Sequence, residues 1–248
     1  MTNERVYIHE FIHITGLNRA NYVQHMTANW SPVAQEERSQ LCYGVWPVIG
    51  STGAWPEVIN MWELESWQSL ADGFAREATG RGGYDARLER WWARAFEFRS
   101  GGIDRIVLPA PWNRTIEQLC ADGVTGACYT HDLVKVTPGA QMELLHRVRD
   151  SGEAPLTAFG AQVVGTFRTA MANDDECIII TAHPTWDSWA TGEEATAAGQ
   201  ALATWRASLR DIVTDWNRLV LIDAPLCPFK TGRQPSRSDQ VDWVDEDS

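Results

Sequence analysis

The chain lacks any run near the roughly 18 consecutive apolar residues that a membrane helix requires. Its opening, MTNERVYIHE, also lacks the basic-then-apolar layout of a secretory leader. These absences predict a cytoplasmic protein with no membrane partner. Positive charge is scarce as well: 21 Lys plus Arg stand against 33 Asp plus Glu, a net charge of −12, and no basic stripe offsets it. Such a surface repels phosphate backbones, so nucleic acid is not an expected partner. There is no CxxC pair and no metal-ligand cluster, so Cys42, Cys120, Cys128, Cys177 and Cys227 read as reduced thiols and no metal is expected. GxSxG, a GxGxxG after a strand, a Walker loop and HExxH are missing too, which removes the common hydrolase, dinucleotide, nucleotide and zinc-protease readings.

What the 248 residues do contain is enough apolar surface for a core, 44% hydrophobic against 22% charged side chains. Tryptophan is over-represented at 13 residues. Its large flat ring with one N–H donor serves either bulky packing or the wall of a pocket for a ring-shaped ligand. The chain also repeats itself. Val6-Tyr7-Ile8-His9-Glu10 through Thr15 lies over Cys128-Tyr129-Thr130-His131-Asp132 through Thr137. Glu57 to Ala71 lies over Glu176 to Ala190, and Trp92 to Leu108 over Trp205 to Leu221. Three blocks in one order indicate a duplication.

Each copy reads as β-α-β-β-α-β. In the first, Val6 to Ile14 is a strand, Asn18 to about Gln40 a helix interrupted at Ser31-Pro32, and Leu41 to Ile49 a strand. Pro47, without an N–H for a central ladder, places that strand at a sheet edge. Val58 to Leu64 is a strand, Ser66 caps a helix to Ala78, Tyr84 to Phe98 is helical, and Arg105 to Leu108 closes the unit. The second copy has strands 128–136, 159–168, 177–182 and 218–222, with helices from about 140 and over 186–214. Each unit makes a four-stranded antiparallel sheet with both helices on one face. Two units can therefore cover each other's bare sheet faces. The expected organisation is α+β, with ferredoxin-like halves at 1–110 and 127–230, a connection at 111–126, and a polar, acidic, disordered tail at 231–248.

The segments VYIHEFIHITG, WELESWQSLADGF and IDRIVLPAP, with their second copies CYTHDLVKVTPG, TAHPTWDSWATGE and WNRLVLIDAP, resemble the dimeric α/β barrel superfamily, and within it the NIPSNAP-like branch. The resemblance touches most of residues 5 to 225. It implies two tandem ferredoxin-like halves packed sheet to sheet as an intrachain barrel, with a ligand pocket between each sheet and its own helices. NIPSNAP-like chains tend to carry a Glu and an Arg on the opening strand, where this chain has His9-Glu10 and His131-Asp132. Parts of the superfamily bind haem. Here residues 186–214 hold no histidine, and only His146 and His183 offer axial ligands nearby.

Alternation along the first strand puts Tyr7, His9, Phe11 and His13 on one face and Val6, Ile8, Glu10, Ile12 and Ile14 on the other. His9 and Glu10 thus cannot form a dyad. His9 and His13, about 13 Å apart along the strand, cannot share a metal. Glu10 and Asp132, acids among aliphatic neighbours, either meet arginines such as Arg105 and Arg218 or carry a raised pKa suited to proton transfer. His9 and His131 offer imidazoles that exchange protons near pH 7. The expected catalytic set is His9, Glu10, His13, Tyr7, His131 and Asp132. Tyr22, His25, Tyr43, Trp46, Asn60, Trp62 and Trp92, all in the first half, are the expected substrate-binding groups. The leading expectation is acid/base chemistry of isomerase, lyase or oxygenase type on a small hydrophobic, cyclic molecule, without an organic cofactor. A non-catalytic binder or a haem enzyme are the alternatives, and a monomer and a homodimer are equally compatible with the sequence.

Overall fold

The computed structural model describes residues 2–78 and 86–241. The first half runs β1 (Val6–Ile14), α1 (Arg19–Gln24), a π-helical turn (His25–Trp30), α2 (Ser31–Arg38), β2 (Gln40–Pro47), β3 (Glu57–Leu64), α3 (Trp67–Glu77), α4 (Ala86–Phe96) and β4 (Arg99–Pro109). A connecting helix, α5 (Ile116–Ala121), follows. The second half runs β5 (Cys128–Val136), α6 (Gln141–Arg147), a second π-helical turn (Val148–Gly152), α7 (Glu153–Leu156), a short 3-10 turn (Ala158–Gly160), β6 (Gln162–Thr169), β7 (Glu176–His183), α8 (Trp186–Ala197), α9 (Ala201–Ala207) and β8 (Val213–Leu221). A last short helix, α10 (Pro228–Thr231), precedes the terminal segment.

Local chemistry sets the ends of these elements. Ser66 caps α3 by accepting from Ser69 N–H at 3.2 Å, and Thr185 caps α8 by accepting from Ser188 N–H at 3.0 Å. Pro32 lies in the first turn of α2, directly after a π-helical turn in which Ser31 N–H reaches back to Met26 C=O, so the helical path widens where proline lacks an N–H. The single helix expected over 186–214 is two helices, because Gly199 adopts φ +75 and stops α8. The last strands are longer than their hydrophobic cores suggested, since their first residues face solvent and carry polar or glycine residues.

All strands pair antiparallel in the order β2-β3-β1-β4-β6-β7-β5-β8. The two outer strands also meet. Ile49 N–H donates to Val220 C=O at 2.8 Å, Ile222 N–H to Pro47 C=O at 3.1 Å and Ala224 N–H to Val45 C=O at 2.9 Å. These bonds mirror the other seam, where Ala170 N–H donates to Ile106 C=O at 2.8 Å and Ala110 N–H to Thr166 C=O at 2.9 Å. The two halves therefore join at both seams into one closed barrel. Pro47 lies at the edge of its own half's sheet, as its missing N–H required, and that edge is a seam between halves.

β2 and β6 each carry a one-residue bulge, at Tyr43 and Val164, followed by glycine. A Cβ at Gly44 would stand 2.0 Å from the Trp46 ring, and one at Gly165 would stand 2.4 Å from the Phe167 ring. Only glycine lets these aromatic rings fold back over the strand. Inside the barrel Tyr7, Tyr43, Tyr129 and Phe167 are fully buried. The helices cover the outer face, where further apolar clusters form.

Residues 231–241 correct the expectation of a loose tail. Gln234 bonds both main-chain groups of Cys42, Gln35 donates to Pro235 C=O, and Val241 N–H donates to Asn29 Oδ1. A polar composition is compatible with order here because backbone edges of β2 and the first-half helices supply the partners. Trp243 lies outside the described residues.

Candidate functional site

β1 divides the candidate residues between two environments, as its alternation requires. His9 points into the barrel and meets its duplicate: Nε2 of His9 lies 2.9 Å from Nε2 of His131, with the rings stacked at 5.0 Å. One Nε2 donates and the other accepts with both rings neutral, while the Nδ1 atom of each ring stays buried without a hydrogen-bond partner among the described residues. Burial, the facing imidazole and the nearby Arg105 charge hold His9 well below the usual histidine pKa, and burial lowers His131 to about 4. Phe11 abuts both rings edge-on. Neither histidine lines a described cavity. Tyr7 donates to Glu63 at 2.9 Å and Tyr43 to Val164 C=O at 2.7 Å, so both hydroxyls are engaged within the core. Trp46 donates to Asp223, which also accepts from Tyr129.

The outer face of β1 carries Glu10, 8% exposed. Its Oε2 accepts from Trp62 Nε1 at 2.7 Å and from Asn60 Nδ2 at 2.9 Å, and Asn60 also donates to the Tyr22 hydroxyl at 2.7 Å. Among the described residues no donor reaches Oε1. Directly across the β1–β4 ladder stands another acid, Asp104, which opens to solvent. Burial first, and the like charge of Asp104 second, push the Glu10 carboxyl up to about 7 against the two hydrogen bonds and the pull of Arg99. Glu10 forms part of the wall of a chamber of about 170 Å³ enclosed by Trp30, Trp91, Trp92, Leu70 and Phe74. Trp30 and Trp91 pack with centroids 4.4 Å apart, and His25 stacks on Trp91 at 5.0 Å. Arg38 and Gln40 lie on the same wall.

The structure thus brings Glu10, Trp62 and Trp92 to one chamber, with Asn60 and Tyr22 bonded behind Glu10 and His25 behind Trp91. It separates His9, His131, Tyr7, Tyr43 and Trp46, which belong to the barrel interior. His13 lies at the end of β1, its side chain 53% exposed and 3.5 Å from Glu57. Asp132 is fully buried and bound by both arms of Arg218, at 2.7 and 2.8 Å. The expected arginine partnership holds for Asp132 alone. Arg105 turns to the inner face and bonds Glu176 of β7. The ladders explain this: Tyr7 faces Val107 and Tyr129 faces Leu221, so Asp104, not Arg105, is the counterpart of Arg218. The sequence overlay of β4 on β8 is one residue out of register, and one residue reverses the face. Asp104 was therefore missed, because its place opposite Glu10 is set by the ladder and the sequence overlay puts Arg105 there instead.

The corresponding second-half chamber, lined by Thr130, Thr181, His183, Trp189, Glu193 and Arg218, holds about 80 Å³. His183 bonds Thr130 at 3.2 Å, and burial lowers it to about 4. A chamber of this size does not admit a porphyrin, and His146 packs at 5.1 Å against Trp112 on another face. The residues around this chamber do not fit a haem.

No family model and no curated protein matches the chain. Solved structures do. An anthrone oxidase-like protein superposes with a TM-score of 0.60 at 10% identity, over 90% of this chain and 93% of that one. A candidate monooxygenase from Lactobacillus acidophilus NCFM superposes at 0.58 and 7% identity, over 95% and 97%. The chain has the dimeric α/β barrel fold. In this barrel the two units that the name describes are halves of one polypeptide. An uncharacterized NIPSNAP domain protein from Burkholderia xenovorans matches at 18% identity and TM-score 0.35, over 41% of this chain and 98% of its own. Among the described residues no helix of the barrel is long and apolar enough to cross a membrane.

Proposed function

We propose that the first half is the active site of an enzyme that removes a proton from carbon on a small hydrophobic, ring-containing molecule, with Glu10 as the base. One observation carries this reading: a nearly buried carboxyl with a pKa of about 7 faces a tryptophan-walled chamber. A base poised there is half ionised at neutral pH, the condition under which it accepts a proton most effectively. Trp62 and Asn60 hold one carboxylate oxygen and leave the other for the substrate. Arg38 and Gln40 on the chamber wall supply donors for the oxyanion that forms as the carbon loses its proton. Trp30 and Trp91, their planes inclined at 39°, provide apolar walls for the ring. This step needs no organic cofactor, and it opens isomerase, lyase and oxygenase outcomes alike. The oxidase and monooxygenase descriptions of proteins sharing this fold support an enzyme rather than a passive binder.

The test is hydrogen–deuterium exchange at the acidic carbon of a cyclic ketone such as 2-tetralone in D2O, followed by NMR. Wild-type protein is expected to accelerate exchange, with a rate rising through about pH 7. Glu10→Gln should abolish the acceleration while circular dichroism stays unchanged. His9→Gln should retain it. Equal exchange by Glu10→Gln and wild type removes Glu10 from the mechanism, and binding without exchange leaves a ligand-binding protein.

A further inference from the structure

A buried base that exchanges a carbon-bound proton with solvent needs a route for that proton, and most groups around Glu10 offer none. Its Oε2 is held by N–H donors of Trp62 and Asn60, which do not take up a proton. Asn60 also bonds the Tyr22 hydroxyl, which is fully buried and leads only further into the core. Arg99 on β4 and Arg38 on α2 are cations at neutral pH, and Arg38 faces Glu77 of α3 at 3.8 Å. His25 lies behind Trp91, its ring stacked there.

Asp104 stands differently. It is the cross-strand partner of Glu10 in the β1–β4 ladder, so the two Cβ atoms lie about 5 Å apart on one face. Both side chains line the chamber. β4 leaves the core at this level: Gly102, Ile103 and Asp104 are exposed, whereas Glu10 is buried. One carboxyl thus faces the chamber from within the sheet, and the other reaches from the chamber to water. Glu10 Oε1, which meets no donor among the described residues, is the oxygen left to receive and release a proton. Where the sheet shields Asp104 it raises that carboxyl too, against the pull of Arg99 and Arg105, which narrows the gap a proton must cross between the acids. The second half lacks such a route. There the ladder partner of Asp132 is Arg218, whose guanidinium occupies both carboxylate oxygens and cannot accept a proton.

We propose that Asp104 conducts to solvent the proton that Glu10 takes from the substrate. The inference rests on Glu10 acting as the base. Asp104 acts through Glu10 and not on the reacting carbon, so it is a positioning residue for that proton. The Glu10 O–H bond breaks as an O–H bond forms on the Asp104 carboxylate. Asp104 then gives the proton to water, which restores both carboxylates, and no electrons change hands.

The experiment is exchange of 2-tetralone in D2O by the full-length protein, followed by NMR across pH for wild type, Asp104→Asn, Asp104→Ala and Asp104→Glu. Asp104 is exposed, so these variants are expected to match the circular dichroism of wild type. Asp104→Asn should lower the plateau rate above pH 7 about tenfold at unchanged KM, less than a group acting on the substrate itself contributes. Sodium formate, a small soluble carboxylate, should restore Asp104→Ala saturably toward the wild-type rate, and Asp104→Glu should retain that rate. A purely electrostatic Asp104 would move the pH midpoint, because a like charge is lost, yet leave the plateau intact and formate without effect. That outcome overturns the proposal while Glu10 stands as the base. Wild-type protein that exchanges the ketone no faster than buffer overturns the base, and the proton route with it.

Discussion

The two halves share a frame and differ in what stands opposite its buried acid. Tyr7 and Tyr129, His9 and His131, the bulges and both seams all recur. Opposite the β1 acid, however, stands Asp104, whereas opposite the β5 acid stands Arg218. The Asp132–Arg218 pair, extended by Glu193, ties β5, β8 and α8 together beside a chamber of about 80 Å³. Burial pushes Asp132 up, but Arg218 wins and holds its carboxyl below the usual range. Glu10 has no such guanidinium across the ladder. Its proton is held by burial and by the acid opposite, beside a chamber of about 170 Å³. Duplication can thus divide labour: one copy keeps a buried acid as a structural ion pair while the other keeps it as a titrating group.

Breaking the second half's pair should have the largest effect. Arg218→Met leaves a fully buried carboxylate uncompensated, and a loss of about 3–5 kcal/mol in denaturant unfolding is expected. Asp132→Asn in the same chain should recover most of it, because the cost lies in the orphaned charge. A single-variant loss below about 1 kcal/mol would show that the pair is screened like a surface ion pair.

The second effect belongs to Glu10. Its folded pKa of about 7 exceeds the ordinary 4.5, so the folded state binds the proton more tightly. Stability from this group is complete below pH 4.5 and is lost as pH rises through 7, on the order of 3 kcal/mol in total. Asp223, raised to about 6 by burial, acts in the same direction, while the lowered His131 and His183 remove stability as pH falls from 6.5 toward 4. The difference between wild type and Glu10→Gln isolates the Glu10 part. Parallel pH profiles for the two proteins would mean that Glu10 titrates normally.

A smaller effect comes from making the first half imitate the second. Asp104→Arg places a guanidinium opposite Glu10 and is expected to lower its pKa by about one to two units, read by carbon-13 NMR titration. The pH midpoint of ketone exchange should fall with it. An unmoved Glu10 would show that burial alone sets its pKa.

The duplication and the element order were legible because they rest on alternation and on repeated strand segments, which sequence displays directly, whereas the barrel came from the resemblance to a family. The division of His9 from Glu10 followed from the same alternation. The outer seam was not legible, since main-chain bonds such as Ile49 to Val220 leave no trace in side-chain identity. Nor was Asp104: matching Asp-Arg-Ile-Val-Leu to Asn-Arg-Leu-Val-Leu aligns the arginines, whereas the ladder aligns Asp104 with Arg218. Sequence similarity rewards identical letters, while the sheet rewards facing. Order in residues 231–241 escaped for a related reason, because it comes from main-chain partners on β2 and the first-half helices and not from apolar content.

The smallest expected effect tests what the halves retain in common. Ser66 and Thr185 differ in identity yet perform the same task, each accepting from the N–H three residues on, at 3.2 and 3.0 Å. Both stand in extended conformation before a helix that begins with tryptophan. Replacing either by alanine leaves one N–H of the first turn without its side-chain acceptor, at a cost of about 1 kcal/mol. Ser66→Ala and Thr185→Ala should therefore lower unfolding stability by similar amounts, and the double variant by their sum, since the two caps share no partner. Equal and additive losses would mark the caps as part of the common frame. A loss confined to Thr185→Ala would instead tie helix α8 to the Arg218–Glu193 contact that it carries, and so extend the asymmetry from one ladder position to the helix above it.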